Sequence, residues 1–265
     1  MPRFAANLSL LFTELPFEER FAAASRAGFR GVEYLFPYAW PAESLRSLLQ
    51  ENRLTQVLFN LPAGDWSAGE RGIACLPERT GEFRDGVTQA IQYAEALGCA
   101  RVNCLAGLRP PTLSFDRAWE TLVDNVSWAA EQCRGAGVDL LVEAINSRVD
   151  MPGFLLDRSD RVIELIEAVD ASNLGFQYDI YHMQIMEGDL IRTMERLLPH
   201  IGHIQFADNP GRHEPGTGEI NFPRVFHALD AMGYEGWASA EYHPLNSTRS
   251  GLSWLKPQTS QADRR

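Results

Sequence analysis

Short apolar runs alternate along this chain with longer segments in which apolar residues recur at helical spacing. The short runs predict β-strands and the longer segments predict α-helices. The predicted strands are Phe4–Leu8, Gly31–Phe36, Thr55–Asn60, Arg101–Ala106, Val138–Ala144, Asn173–Asp179, Gly202–Phe206 and Gly236–Glu241. The predicted helices are Phe17–Ala27, Ala42–Asn52, Gly81–Leu97, Phe115–Gly135, Arg158–Val169, Leu190–Leu198 and Arg224–Met232. This alternation is typical of parallel strands joined by helical crossovers.

Glycines at the ends of predicted helices support these boundaries. The apolar stripe of the first helix stops at Gly28, and Gly98 and Gly233 directly follow Leu97 and Met232. Glycine adopts the positive φ of a helix C-cap at little cost. These positions therefore predict tight turns from a helix into the next strand.

Eight strands in a chain of 265 residues favour an α/β fold of the (β/α)8 TIM-barrel type. A doubly wound open sheet is the alternative, but the segment from Asn7 to Leu10 lacks the glycine-rich first turn of such folds. We expect one domain over residues 1–256. Residues 257–265 form a polar tail that we expect to be disordered.

Composition and the absence of targeting segments in the sequence limit which partners and which location we expect. The net charge of −11 disfavours nucleic acid and membrane surfaces. No secretory signal and no membrane-spanning stretch is visible, so we expect a cytoplasmic protein. The four cysteines form no C-x-x-C pair and are expected to be buried thiols. We expect Trp40, Trp119 and Trp254 to be exposed, either at the interface of a homo-oligomer or on ordinary surface.

Lys256 is the only lysine of the chain and lies next to the polar tail. A Schiff-base mechanism needs a desolvated lysine, and a Walker A loop needs a lysine beside its glycines. The sequence therefore excludes both kinds of site. An anion would have to be bound by arginine, by backbone N–H groups or by a metal.

Polar residues occur where several predicted strands end. The strands carry Asn7, Glu33, Asn60, Glu143, Asp179, Gln205 and Glu241 at or near their carboxyl ends. The active site of a TIM barrel lies at that end. Glu143, Asp179 and Glu241, with Gln205, therefore predict a site for Mg²⁺ or Mn²⁺, because hard oxygen ligands suit these ions. The carboxylates would otherwise repel one another, although any single one could simply cap a helix.

Four further residues are candidates for substrate binding. His182 follows Asp179 by one helical turn and could form a hydrogen bond with a substrate hydroxyl, or it could be a packed supporting residue. Arg212, in a long loop after the seventh strand, could bind a carboxylate, or it could pair with Asp208 or Glu214. Trp66 and Arg71 belong to a second long loop that could form a lid, although Trp66 could serve only to pack that loop.

At these positions the chain resembles the hydroxypyruvate isomerase family, within the xylose isomerase-like barrels. The matching segments span residues 4 to about 255. They are Phe4–Ser9, Gly31–Tyr38, Gly64–Trp66, Gly69–Gly72, Leu141–Glu143, Tyr178–His182, His203–Gln205, Arg212–Pro215, Gly218–Asn221 and Glu241–Tyr242. The first of these segments contains Asn7, which we add to the candidate substrate-binding residues.

The resemblance implies a barrel, a metal at Glu143, Asp179, Gln205 and Glu241, and an acid/base pair formed by Glu143 and Glu241. It implies interconversion of hydroxypyruvate and 2-hydroxy-3-oxopropanoate through an enediolate, a reaction of glyoxylate and carbohydrate metabolism. A 2-oxo-tetronate isomerase or a ketose 3-epimerase could use the same site. Related epimerases have histidine where this chain has Gln205, which argues mildly against the epimerase.

Two other classes of protein agree less well with the sequence than an isomerase does. A repair endonuclease of the same superfamily would need a histidine-rich site for several metals and a basic surface. The net charge of −11 and the six histidines argue against it. A non-catalytic binding protein would not need both Glu143 and Glu241.

Overall fold

The predicted strands pair in parallel and in chain order, and the eighth pairs with the first to close a barrel. This is the arrangement of the computed structural model, which describes residues 2–255. The strands are β1 (Arg3–Asn7), β2 (Gly31–Glu33), β3 (Thr55–Asn60), β4 (Arg101–Cys104), β5 (Asp139–Glu143), β6 (Leu174–Asp179), β7 (Ile201–Phe206) and β8 (Trp237–Ala240). The predicted (β/α)8 barrel is therefore confirmed.

Helices connect the strands on the outside of the barrel. They are α1 (Phe17–Ala27), α2 (Ala42–Asn52), α3 (Thr80–Leu97), α4 (Phe115–Gly135), α5 (Ser159–Val169), α6 (Ile180–Met186), α7 (Leu190–Leu197) and α8 (Phe222–Ala231). Short 3-10 segments cover Pro77–Arg79, Leu198–His200 and Thr248–Leu255. The prediction lacked α6, which starts at the residue after β6 and is buried along most of its length, so no polar boundary marks it.

Helix ends follow the local chemistry of the sequence. Gly28 and Gly98 are left-handed C-caps with φ of 105° and 62°, as predicted. Gly233 also has a positive φ, of 76°. Helix α8 begins two residues earlier than predicted because the Asn221 side chain accepts a hydrogen bond from the Arg224 N–H and Pro223 fits the first turn.

The inside of the barrel has an apolar layer and a polar layer. Ala5, Val57, Leu58 and Leu141 form a small apolar cluster from the middle of β1, β3 and β5. Gly202 leaves room for Leu141, because a Cβ there would lie 2.6 Å from Leu141 Cδ2. Toward the carboxyl ends the inward positions are polar. Strand register pairs Asn7 with Glu33, Glu143 with Gln177 and Asp179 with Gln205, which brings these polar side chains to one level.

An aromatic cluster packs β1, β7 and α8 against the C-terminal 3-10 segment. Phe206 is fully buried, and its ring lies 5.1 to 5.9 Å from those of Phe4, Phe226 and Trp254. Edge-to-face contacts of this kind add to the free energy of area burial. Phe206 follows Gln205, so the cluster also anchors the strand that carries this amide.

Other expectations concern the cysteines, membranes and the tail. All four cysteines are free and buried, as expected. Burial raises the pKa of the Cys75, Cys99 and Cys133 thiols to about 12, so they are unreactive. Within residues 2–255, none of the helices is both long enough and apolar enough to cross a membrane. Lys256 and the tail 257–265 lie outside the described residues.

Replacing Phe206 by alanine tests the aromatic cluster. We expect Phe206→Ala to lower the free energy of unfolding by about 3–5 kcal/mol, because a buried ring is lost and a cavity remains. Urea denaturation measures this. Leu245→Ala is the control, since Leu245 is 54% exposed, and it should change stability by less than about 0.5 kcal/mol. Equal losses in the two variants would contradict this account of the core.

Candidate active site

A cavity of about 270 Å³ opens at the carboxyl ends of the strands. Its floor is polar and its walls are largely apolar. The polar lining comprises Ser9, Asn60, Glu143, Gln177, His182, Arg212, Glu241 and His243. The apolar lining comprises Leu10, Leu35, Trp66, Leu105, Ile145 and Met151. A concave site with a few convergent polar groups is typical of a small-molecule site.

Glu143 ends β5 and is buried at the cavity floor. Its Oε2 accepts a hydrogen bond of 3.0 Å from Asn103 Nδ2. Burial raises the pKa of Glu143 well above its usual value, and the neighbouring Glu241 and Asp179 carboxylates raise it further. Without a cation, burial and these two neighbours therefore favour the protonated form of Glu143.

Glu241 directly follows β8 and has four donor contacts. Its Oε1 accepts from Asn7 Nδ2 at 2.9 Å and from Gln205 Nε2 at 3.2 Å. Its Oε2 accepts from the Arg212 guanidinium, and its backbone carbonyl lies 3.5 Å from Arg212 Nε. Burial raises the pKa of Glu241 to about 8, although Arg212 acts in the opposite direction. The carboxylate is therefore held in one orientation, facing Glu143 across the cavity.

Asp179 ends β6 and combines two roles that the sequence left as alternatives. Its Oδ1 accepts from the Tyr181 N–H at 2.8 Å and caps α6. Its Oδ2 lies 3.5 Å from the Arg212 guanidinium and 3.5 Å from His182 Nε2. Burial raises the pKa of Asp179 to about 6. The residue is thus both a helix cap and part of the carboxylate group at the floor.

Arg212 reaches the cavity from the loop after β7. The alternatives of an ion pair with Asp208 or Glu214 do not describe the structure, because the guanidinium contacts Glu241 and Asp179 and lies over the Tyr181 ring. Asp208 instead braces the loop by accepting from the N–H groups of Gly216, Gly218 and Ile220. Gly218 is required there, since a Cβ would lie 2.2 Å from the Asn209 carbonyl oxygen.

Gln205 makes its contacts with a defined amide orientation. Its Nε2 donates to Glu33 Oε1 at 2.7 Å and to Glu241 Oε1 at 3.2 Å, and its Oε1 accepts from Gln177 Nε2 at 2.6 Å. A reversed amide would place an oxygen against two carboxylates, so the donor and acceptor chemistry fixes the orientation. The predicted role of Gln205 as a metal ligand would require its oxygen to leave Gln177.

A hydrogen-bonded Glu–His pair that sequence reasoning missed lies below the floor. Glu33 and His203 are fully buried, and His203 Nε2 lies 2.8 Å from Glu33 Oε2. Burial alone would raise the pKa of Glu33, but His203 and the hydrogen bond from Gln205 bring it below its usual value. Glu33 Oε1 also accepts from Asn7 Nδ2 at 3.0 Å. The alternation of polar residues at His203 and Gln205 within an apolar strand was the available signal.

His182 lies beside the carboxylates, one turn into α6. It is buried, and burial together with the Arg212 charge lowers its pKa well below the usual value. One atom each from Glu143, Asp179 and His182 lie within 4.8 Å of one another, and this group could hold a metal ion. The buried carboxylates fit a divalent cation, because three of them face a single guanidinium and two have pKa values raised to about 6 and about 8.

The remaining candidates occupy different places. Asn7 lies beneath the floor and braces both Glu33 and Glu241. Trp66 lines the cavity, and the Arg71 guanidinium lies over its ring at 4.1 Å. Arg71 also donates to the Trp66 carbonyl at 3.0 Å, but it does not line the cavity. The structure therefore places Trp66 in the wall with Arg71 behind it.

Comparison with known proteins agrees with this geometry. The chain matches the family described as xylose isomerase-like TIM barrel over residues 21–258. It is 50% identical to hydroxypyruvate isomerase of Escherichia coli (strain K12), over 97% of this chain and 99% of that protein. It is 48% identical to 2-oxo-tetronate isomerase of Cupriavidus necator, over 97% and 98%. A solved structure described as AP endonuclease, family 2 from Brucella melitensis has a TM-score of 0.94 at 45% identity, covering 97% and 99%.

The fold and the carboxylate-lined cavity define an enzyme of the barrel class, and the chain belongs to the xylose isomerase-like TIM barrel family. Its full-length similarity to curated relatives places it, within that family, among the isomerases of the hydroxypyruvate isomerase group. The resemblance inferred from the sequence motifs is therefore confirmed.

The raised pKa of Glu241 predicts how stability depends on pH. Without a bound cation, the folded protein keeps the proton on Glu241 toward its raised pKa of about 8, whereas a glutamate of the unfolded chain releases it near its usual pKa of 4.5. Stability is therefore greatest below the unfolded value and is lost as pH rises through the folded one. In chelator-treated protein, we expect Glu241 to contribute a loss of up to about 5 kcal/mol over this range, measured by urea unfolding.

Glu241→Gln is the matched control for this measurement, because it keeps the shape of the side chain and removes its titration. Its free energy of unfolding should fall less over the same range, although Glu143 still contributes. An identical pH dependence in the two proteins would show that Glu241 titrates normally.

Proposed function

We propose that this protein interconverts hydroxypyruvate and 2-hydroxy-3-oxopropanoate by proton transfer through an enediolate. The observation that carries the proposal is the pair of buried glutamates, Glu143 and Glu241, which line one small cavity and are close enough that Glu241 raises the pKa of Glu143. A relative named hydroxypyruvate isomerase, aligned over nearly its full length, supports the choice of substrate.

The two glutamates divide the proton transfer. Arg212 opposes the rise in the pKa of Glu241, whereas Glu143 has an amide donor and no cation at hydrogen-bond distance, so Glu241 is the more readily ionised of the two. We therefore assign removal of the proton from carbon 3 to Glu241 and delivery of a proton to carbon 2 to Glu143. The hydroxyl proton on carbon 3 is released as the new aldehyde forms, and the oxygen on carbon 2 gains a proton. A glutamate with a pKa near the working pH suits both steps.

Substrate orientation follows from the charges around the cavity. Arg212 is the cation that lines it among the described residues, so we assign it the substrate carboxylate. The apolar walls, including Trp66 and Met151, limit the water around the enediolate and so protect it from side reactions. Arg71 supports the wall by holding the Trp66 ring.

We propose Mg²⁺ or Mn²⁺ as the cofactor, held by Glu143, Asp179 and Glu241. Gln205 would be the fourth ligand only after its amide turns away from Gln177. A bound divalent cation supplies Lewis-acid stabilisation of negative charge on the substrate oxygens. Glu241 must then exchange contacts between Arg212 and the ion, which links the ion to the presence of substrate.

A second candidate keeps the site and lengthens the substrate. The relative from Cupriavidus necator named 2-oxo-tetronate isomerase is nearly as similar as the hydroxypyruvate isomerase. A cavity of about 270 Å³ is small for a drug-sized ligand but admits a short oxo-acid of either length. A ketose 3-epimerase would place a longer, uncharged sugar against Arg212, and this makes it the weaker alternative.

A nuclease and a non-catalytic binding protein receive less support from the site than an isomerase does. Although one solved relative is described as an AP endonuclease, residues 2–255 contain a single cluster of three His, Cys, Asp or Glu side chains suited to a metal. A nuclease of the type considered above would need several metals and a basic surface, against a net charge of −11. A binding protein would not need two glutamates with raised pKa values. Cytoplasmic location and oligomeric state remain predictions.

A coupled assay tests the reaction. Purified protein is supplied with hydroxypyruvate, or with a 2-oxo-tetronate, and the aldehyde or isomer formed is measured. We expect Glu143→Gln and Glu241→Gln each to lower kcat by about 100-fold or more. Glu241→Gln should also abolish exchange of the carbon 3 hydrogen with D2O, whereas Glu143→Gln should retain part of it. Near-native turnover in both variants would refute the assignment.

Metal binding is tested separately from turnover. After chelator treatment, Mn²⁺ should bind the wild-type protein, and Asp179→Asn should weaken that binding by at least about tenfold, measured by calorimetry. Asp189→Asn is the control, since the Asp189 side chain is 63% exposed on the surface, and it should leave Mn²⁺ binding unchanged. Equal binding by all three proteins would place the ion elsewhere.

A further inference from the structure

His182 has two possible roles that exclude each other. A metal ligand must present an unprotonated ring nitrogen to the ion, whereas a donor to substrate must present an N–H group. Nε2 is the nitrogen near the carboxylates, 3.5 Å from Asp179 Oδ2 and 4.0 Å from Glu143 Oε1. The partner of the other nitrogen, Nδ1, therefore decides what Nε2 can do.

That partner is Asn146, in the turn after β5. The Asn146 side chain is buried, and its Nδ2 lies 2.7 Å from His182 Nδ1. A carbonyl oxygen in the same place would accept a hydrogen bond from a protonated Nδ1. An NH2 group instead donates a hydrogen bond to an unprotonated Nδ1. The orientation of the Asn146 amide therefore sets the tautomer of His182.

Three contacts other than His182 fix this orientation. Asn146 Oδ1 accepts from the backbone N–H groups of Val149 and Asp150, both at 2.9 Å. Asn146 Nδ2 donates to Asp150 Oδ2 at 2.7 Å. Reversing the amide would place its NH2 against two N–H donors and its oxygen against a carboxylate. The NH2 group must therefore face His182.

Asp150 is itself held in place, so it is a stable acceptor for Asn146. The Tyr181 hydroxyl donates to Asp150 Oδ1 at 3.4 Å, and the Arg212 guanidinium lies 3.9 Å from Asp150 Oδ2. Asp150 Oδ2 is also 3.6 Å from His182 Nδ1, but the shorter Asn146 contact occupies that nitrogen. A proton on Nδ1 would point at an NH2 group, so the geometry excludes it.

We propose that Asn146 is a positioning residue that locks His182 as the neutral tautomer with its proton on Nε2, so that His182 donates a hydrogen bond to substrate and does not bind metal. The identity of the acceptor rests on the proposed function: it is the oxygen on carbon 2, which gains negative charge in the enediolate. The imidazole donates a hydrogen bond to that oxygen without transferring its proton, so Glu143 and Glu241 carry out the proton transfer between the two carbons. The geometric cluster of Glu143, Asp179 and His182 then supplies two oxygen ligands and one donor.

The tautomer is measured directly in the resting protein by long-range ¹H–¹⁵N correlation spectra of its histidines. The His182 signals are identified by their loss in His182→Gln. We expect Nε2 to be protonated and Nδ1 to be unprotonated. A proton on Nδ1, alone or together with one on Nε2, would overturn the proposal without any activity measurement.

Asn146→Asp is the informative variant, because it keeps an oxygen for the Val149 and Asp150 N–H groups and replaces the NH2 by an acceptor. The His182 proton should move to Nδ1, and kcat should fall by about 100-fold with KM changed much less, as when one donor to a developing oxyanion is lost. Val149→Ala is the control in the same turn, since Val149 is 64% exposed, and it should leave spectrum and turnover unchanged.

The outcomes separate this proposal from the proposed function. A moved proton with native kcat would overturn the donor role of His182. If Asn146→Asp fails to fold, the wild-type spectrum still decides the tautomer. Absence of turnover on both short oxo-acids would contradict the proposed reaction alone, because the spectrum needs no substrate.

Discussion

The structure depends on four carboxyl groups that are buried inside a barrel from which water is excluded. They belong to Glu33, Glu143, Asp179 and Glu241, and the protein determines which of them are charged and which are protonated. Burial penalises each charge, and only hydrogen-bond donors or cations of the protein can offset that penalty. Glu33 has His203, Glu241 has Arg212, and the amides of Asn7, Asn103 and Gln205 donate to the remaining oxygens. Most of the inward polar positions near the carboxyl ends of the strands serve this purpose.

This compensation is uneven, and the unevenness produces chemistry. Glu33 is fully paired, and its pKa falls below the usual value. Glu143 has one amide donor and two carboxylate neighbours, and its pKa rises. Glu241 lies between these extremes because Arg212 partly offsets its burial. A single network therefore holds one structural carboxylate and two that can exchange protons near neutral pH.

The loops after β5 and β7 complete the site, and the barrel itself gives it rigidity. Asn146 lies in the loop after β5, and a backbone N–H group of that loop donates to its side chain. Arg212 lies in the loop after β7, which Asp208 braces by accepting from backbone N–H groups. Barrels of this family share a fold across proteins described as isomerases and as an endonuclease. The fold alone therefore does not identify the chemistry, and the side chains at this end of the barrel carry that information.

The sequence by itself determined the order of strands and helices, the closure of the barrel and the presence of Glu143, Asp179, Gln205 and Glu241 at one end, because strand periodicity and parallel pairing depend on local pattern. It also showed the family, through motifs spread over the chain. It did not determine the partner of Arg212, the contact between Glu33 and His203 or the amide orientations of Gln205 and Asn146. These depend on which donors and acceptors meet from residues far apart in the chain, and only the tertiary structure brings them within hydrogen-bond distance.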